Sequence, residues 1–172
     1  MKCYTAATFT EQKRIRENKE KLFQLGHSVV ATWLEEQVKP TGMTDEQFRR
    51  KMAAKDLQEI ASADCFILDL EKPSITSGKM VETGFALAKH KLFYVVAPEG
   101  CLTGGHIFML LADKIFGSWD ELFTFFEANH KPTGESVAIK NPSQYLQKVN
   151  PMGGKGDYKW VDGNPTKTKK VK

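Results

Sequence analysis

The hydrophobic pattern of this chain alternates between short, nearly continuous apolar runs and longer segments in which apolar residues recur every three or four positions. The first kind of pattern reads as strand and the second as helix. Residues 2–7 (K-C-Y-T-A-A) predict a first strand, and the hydroxyls of residues 8–10 offer caps for a charged helix over 11–25 that Gly26 ends. The β-branched run 28–32 (S-V-V-A-T) suits a second strand, and the Pro and Gly within 33–42 mark a loop placed to cover a site. Thr44 caps a helix to about residue 63, with Phe48, Met52, Leu57 and Ile60 at roughly helical spacing. Asp64 closes it.

Residues 65–70 (C-F-I-L-D-L) are almost continuously apolar, as expected of a strand covered on both faces, and belong at the centre of a parallel sheet. Beyond Pro73 and a Ser/Thr cluster, a helix is predicted over about 78–90 with Val81, Phe85 and Ala88 on its apolar stripe, then a strand over 92–97. A glycine-containing loop spans 100–105. A short apolar helix at 107–112, a brief strand at 114–116 and a Ser118-capped helix at 119–129 complete the pattern. Strands alternating with helices imply a three-layer α/β sandwich, flavodoxin-like or Rossmann-like, around a five-stranded parallel sheet with right-handed crossovers. Residues 1–130 form that domain; residues 131–172, rich in Lys, Gly and Pro with isolated aromatics, are too sparse in apolar residues for a second core and read as an irregular basic tail.

Composition adds little to this picture and charge adds more. Of the net +4, the tail from Lys131 contributes +6, from nine lysines against Glu135, Asp157 and Asp162, so the preceding residues are at −2. A nearly neutral globular part argues against a nucleic-acid-binding face on the domain and leaves only the tail, ending K-T-K-K-V-K, as a possible tether to polyanions. Cys3, Cys65 and Cys101 show neither C-x-x-C nor zinc spacing with the four histidines, so no metal is expected and buried thiols in a reducing cytoplasm are the simplest account. No apolar run approaches the roughly 20 residues of a membrane span, and no apolar leader precedes the first strand. A cytoplasmic protein without membrane contact is the expectation.

Ligands of open parallel α/β sheets bind beyond the carboxyl ends of the strands, near the point where strand order reverses. Three segments should meet there: the end of the first strand, the loop after the central strand, and the loop after the fourth. The second, P-S-I-T-S-G-K-M-V-E-T-G-F-A, leads hydroxyls and a glycine into a helix N-terminus, where free N–H groups and the helix dipole can hold phosphate or sugar oxygens. G-x-x-x-x-G-K-[ST] is absent, so triphosphate hydrolysis has no support. Glu82 lies one turn into this helix, at the edge of the cleft. Thr8 and Phe9, with Trp33, are candidates to flank a base, since aromatic faces stack on nucleobases. His106 has no partner residue to make it catalytic.

These residues carry a resemblance. The first strand K-C-Y-T-A-A-T-F, the central block A-D-C-F-I-L-D-L and the following E-x-G-x-A (Glu82, Gly84, Ala86) resemble the nucleoside 2-deoxyribosyltransferases and the related 2′-deoxynucleoside 5′-phosphate N-hydrolases, over about residues 2–130. The resemblance implies Glu82 as the nucleophile that forms a covalent sugar–enzyme intermediate, Tyr4 as the tyrosine that positions it, and Asp56 as the aspartate that contacts the sugar and assists the leaving base. Two carboxyls about an anomeric carbon can stabilise an oxocarbenium-like transition state, and their proximity should raise the pKa of one. Free-nucleoside transferases carry an acidic residue where this chain offers Thr76 or Ser77; the monophosphate hydrolases use serine and glycine there, a role open to Ser74, Ser77 and Gly78. A later serine of the hydrolases falls near Gly105 here. The resemblance implies a small-molecule nucleoside or nucleotide substrate, no cofactor and a homo-oligomer. The alternative on the same fold is a non-catalytic nucleotide-binding or sensing protein.

Overall fold

The structure is a computed structural model. It describes residues 1–35, 37–72, 76–99, 101 and 107–129, together with the backbone of two further strands at 158–161 and 164–167. The chain divides into two compact units, Met1–Ile139 and Lys140–Lys172. In the second, strands Tyr158–Val161 and Asn164–Lys167 pair antiparallel, a hairpin where sequence alone predicted irregular chain.

The first unit is a five-stranded, all-parallel α/β domain. Strands β1 (Lys2–Ala6), β2 (Ser28–Val29), β3 (Cys65–Asp69), β4 (Leu92–Val96) and β5 (Lys114–Phe116) lie in the order β2-β1-β3-β4-β5. This is the doubly wound order in which the chain reverses direction between β1 and β3. Every residue of β3 is buried, as its continuous apolar run requires. Helices α1 (Gln12–Gln24) and α4 (Trp119–Asn129) pack against each other, as do α2 (Asp45–Ser62) and α3 (Ser77–Ala88), giving the two helical layers.

Register decides which residues each layer meets. Tyr4, Phe66 and Phe93 stand side by side on β1, β3 and β4, with Tyr4 and Phe66 stacked at 5.8 Å between ring centroids and 6° between planes. Their neighbours one residue on point to the opposite face, since strand side chains alternate. There Tyr94 packs edge-on against Phe116, Phe125 and Phe126. Burying each such ring stabilises the fold by about 1.5–3 kcal/mol.

Local chemistry sets the helix ends. Thr44 and Gln47 form a reciprocal capping box at the start of α2. Gly26, with φ of 80°, turns the chain out of α1 in the left-handed region that glycine adopts without strain. Thr76 caps α3 by accepting from the Lys79 N–H at 3.4 Å, so this helix begins at Ser77.

Two expectations are corrected. β2 is only two residues long, because Thr32–Leu34 coils into a 3-10 turn instead of extending the strand. On α3, Val81 is 62% exposed, and the buried face carries Lys79, Thr83 and Ala86. Lys79 and Thr83 are buried here because each has a hydrogen-bond partner, Thr8 Oγ1 and the Lys79 carbonyl.

Candidate active site

Three ionisable side chains from three elements, β1, α2 and α3, converge on the face of the sheet that α2 and α3 cover. Tyr4 is fully buried in the sheet, and its hydroxyl donates to Glu82 Oε1 on α3 at 3.0 Å. Asp56, half-buried on α2, acts electrostatically on both Tyr4 and Glu82. The packing of α2 against α3 brings these residues, distant in sequence, to one place.

Burial is the main force on all three. It raises the Glu82 pKa to about 7; the Tyr4 hydrogen bond and Lys79 oppose the rise, while Asp56 adds to it. Burial raises Asp56 to about 6, with Glu59 adding to the rise and Lys55 and the Tyr4 hydroxyl opposing it. The Tyr4 hydroxyl is itself held far from ionisation by burial and then by the carboxylates of Glu82 and Asp56. Tyr4 is therefore a hydrogen-bond donor, and the two carboxyls share protons near neutrality. The sequence led us to expect one raised carboxyl through mutual repulsion; both are raised, and desolvation leads.

Lys79 and Glu59, which sequence reasoning passed over, complete the surroundings. Lys79, buried one turn before Glu82, donates from Nζ to Thr8 Oγ1 at 3.1 Å, and burial lowers its pKa against the pull of Asp69 and Glu82. Glu59 accepts from the Thr32 N–H at 2.9 Å and the Thr32 hydroxyl at 2.5 Å.

The chain beyond β1 supplies aromatic surface. Phe9 is 71% exposed and lies 6.5 Å from the Trp33 ring, whose indole N–H donates to the Thr5 carbonyl at 2.8 Å. Thr76, Ser77 and Gly78 form the exposed start of α3, with Thr76 engaged as its cap. Ser74 and the stretch 102–106, with Gly105 and His106, lie outside the described residues.

Asp69 anchors the loop that leads to α3. Its buried carboxylate accepts both terminal N–H groups of Arg14 at 2.9 Å, the Trp119 indole N–H at 2.5 Å and the Glu71 N–H at 3.1 Å. Burial alone would lower the Arg14 pKa, but the hydrogen bond and charge of Asp69 outweigh it and hold Arg14 firmly protonated. A surface cavity of about 510 Å³ at the amino end of the strands, among Met1, Lys2, Phe23, His27 and Asp64, carries none of the carboxyls discussed above. Convergent groups with perturbed acidity are the stronger mark of a site than volume. Among the described residues, no group of His, Cys, Asp and Glu is placed to hold a metal, and no helix is long and apolar enough to cross a membrane.

A doubly wound parallel sheet with two desolvated carboxyls and a tyrosine beside its switch point is an arrangement able to support acid–base or nucleophilic chemistry on a small ligand. The family model described as nucleoside 2-deoxyribosyltransferase matches residues 4–108, and the chain belongs to that family. Membership supports an enzyme of the nucleoside 2-deoxyribosyltransferase kind, acting on nucleosides. No curated protein gives a significant match. Among solved structures, the fold is similar to a CMP N-glycosidase, BcmB, of Clostridium botulinum (20% identity, TM-score 0.51, 74% of this chain and 98% of that one). It is also similar to a 2-deoxyribosyltransferase of Bacillus psychrosaccharolyticus (20% identity, TM-score 0.61, 72% and 90%) and to a conserved protein of Enterococcus faecalis V583 (15%, 0.56, 72% and 95%).

Proposed function

We propose that this protein cleaves the N-glycosidic bond of (deoxy)nucleosides or their 5′-monophosphates through a covalent glycosyl-Glu82 intermediate, and passes the sugar to a second base or to water. The observation that carries the reading is the Tyr4–Glu82 hydrogen bond at 3.0 Å beside the Asp56 carboxyl, three groups whose acidity burial displaces together. A Glu82 oxygen attacks the anomeric carbon as the carbon–nitrogen bond breaks. The bonding pair leaves with the base, which takes a proton from Asp56. The acceptor then gives its proton to the Asp56 carboxylate as it attacks the same carbon from the opposite side and releases Glu82, so configuration is retained overall and Asp56 is reprotonated. Tyr4 steadies the attacking carboxylate, Thr8 and Phe9 border the base, and Thr76, Ser77 and Gly78 at the head of α3, with Ser74 shortly before them in sequence, hold the sugar or its phosphate.

The active protonation state has one proton for two carboxyls. With two protons there is no nucleophile, and with none there is no acid. The kcat/KM profile should therefore be a bell with limbs near the two raised values, about 6 and about 7. Chromatography of base released from a panel of nucleosides and 5′-monophosphates, with and without a second base, tests the reading against Glu82→Ala. Release from monophosphates that the substitution abolishes identifies a hydrolase. Release from nucleosides that requires the second base identifies a transferase. Ligand binding without any release overturns the enzyme reading in favour of a sensor.

A further inference from the structure

Glu59 is a charged residue held largely out of solvent beside the site, with no part in the chemistry just described. Its side chain is 12% exposed, it accepts two hydrogen bonds from Thr32, and Lys55 lies 4.0 Å away on the same helix. The Thr32 contacts tie α2 to the 3-10 turn that carries Trp33. That turn is tied from its other side by Gln12, whose Nε2 donates to the Trp33 carbonyl at 2.6 Å. Glu59 is also three residues from Asp56, the spacing that makes side chains neighbours on a helix surface.

We infer that Glu59 is a positioning residue of this site, fixing the turn that presents Trp33 beside the base and setting how readily Asp56 holds a proton for the leaving group. The inference rests on the proposed roles of Asp56 and Glu82. The charged and titratable groups that act on Asp56 are Lys55 and Glu59 on α2, Tyr4 on β1 and Glu82 on α3; residues 32–34 bring none. Glu59 is the largest of the charges that raise Asp56. The proposed step needs the single proton of the pair on Asp56, and the fraction of protein in that arrangement depends on how firmly Asp56 holds it. Anything that weakens the hold of Asp56 on its proton depletes that fraction further.

Glu59→Gln keeps a carbonyl to accept from Thr32 and removes the charge. Its expected effects are a fall of about one pH unit in the titration midpoint of Asp56, read from carboxyl carbon chemical shifts, a similar fall in the acid limb of kcat/KM, and about a tenfold loss at the maximum. Glu59→Ala should in addition release the turn, speeding hydrogen exchange of the Trp33 indole at least about tenfold and raising KM. An Asp56 midpoint that stays in place in Glu59→Gln overturns the inference. The titration and exchange need no turnover, so they decide the role of Glu59 even where base release fails and the function proposed above falls with it.

Discussion

The cost of keeping Glu82 where it is should appear in stability. Its folded pKa of about 7 stands above the ordinary 4.5, so the native state binds the proton more tightly than the unfolded chain. The stabilisation from this preference is complete below pH 4.5 and is lost as pH rises through 7. At about 1.4 kcal/mol per pH unit, and discounting for partial solvent access, ionised Glu82 costs the fold about 2–3 kcal/mol at pH 8. Glu82→Gln is neutral at every pH, retains an oxygen to accept from Tyr4, and has nearly the same volume. Urea unfolding of wild type and variant across pH 4.5–8 isolates the effect, because all other titrations cancel in the difference, apart from the relief of Asp56, which acts in the same direction. The variant's advantage should grow by about 2–3 kcal/mol over that range, about 1 M in urea midpoint, while base release is abolished. A difference that stays constant with pH refutes the picture of a carboxyl held against ionisation.

Tyr4→Phe keeps the stack on Phe66 and removes the donor to Glu82; a hydrogen bond to a charged group contributes about 1.5–3 kcal/mol. Since the hydroxyl lowers both Glu82 and Asp56, both limbs of the kcat/KM profile should move up by about one pH unit, and a profile that does not move removes Tyr4 from the site's chemistry. Asp69→Asn sets an amide donor against Arg14 and Trp119, and should lower unfolding free energy by about 3 kcal/mol as a broken buried ion pair does; a loss below about 1 kcal/mol in urea unfolding would show that Glu11 and Glu71 suffice to hold Arg14.

Much of the domain was legible because its signals are local. The run C-F-I-L-D-L can be buried on both faces only at a sheet's centre, and Thr44 with Gln47 announces a helix start before any tertiary contact forms. The end of β2 was not legible. Val30 and Thr32 have strand propensity, but the hydrogen bonds that Thr32 donates to Glu59, 27 residues away, hold it in a 3-10 turn, and a short window of sequence carries no trace of such a contact. The tyrosine and two carboxyls were found through their likeness to a family motif; their order along the chain gives no distance, and only the packing of α2 on α3 brings them together.

The misreading of α3 has a different cause, and it marks the site. Apolar residues occur on more than one side of this helix, so the phase of its buried face is ambiguous from the pattern, and a lysine such as Lys79 is normally solvated. The structure buries Lys79 and leaves Val81 in solvent. Glu59 was passed over by the same rule. Burying such groups costs free energy that an apolar face would not, and the departures cluster around Tyr4, Asp56 and Glu82, where acidity is also displaced. Violations of binary patterning that coincide with shifted acidity are what a functional site leaves in a fold otherwise consistent with its sequence. A lysine three residues before Glu82, and a glutamate three residues after Asp56, are therefore the signals that the sequence carries: on a helix, that spacing places them beside the carboxyls they act on.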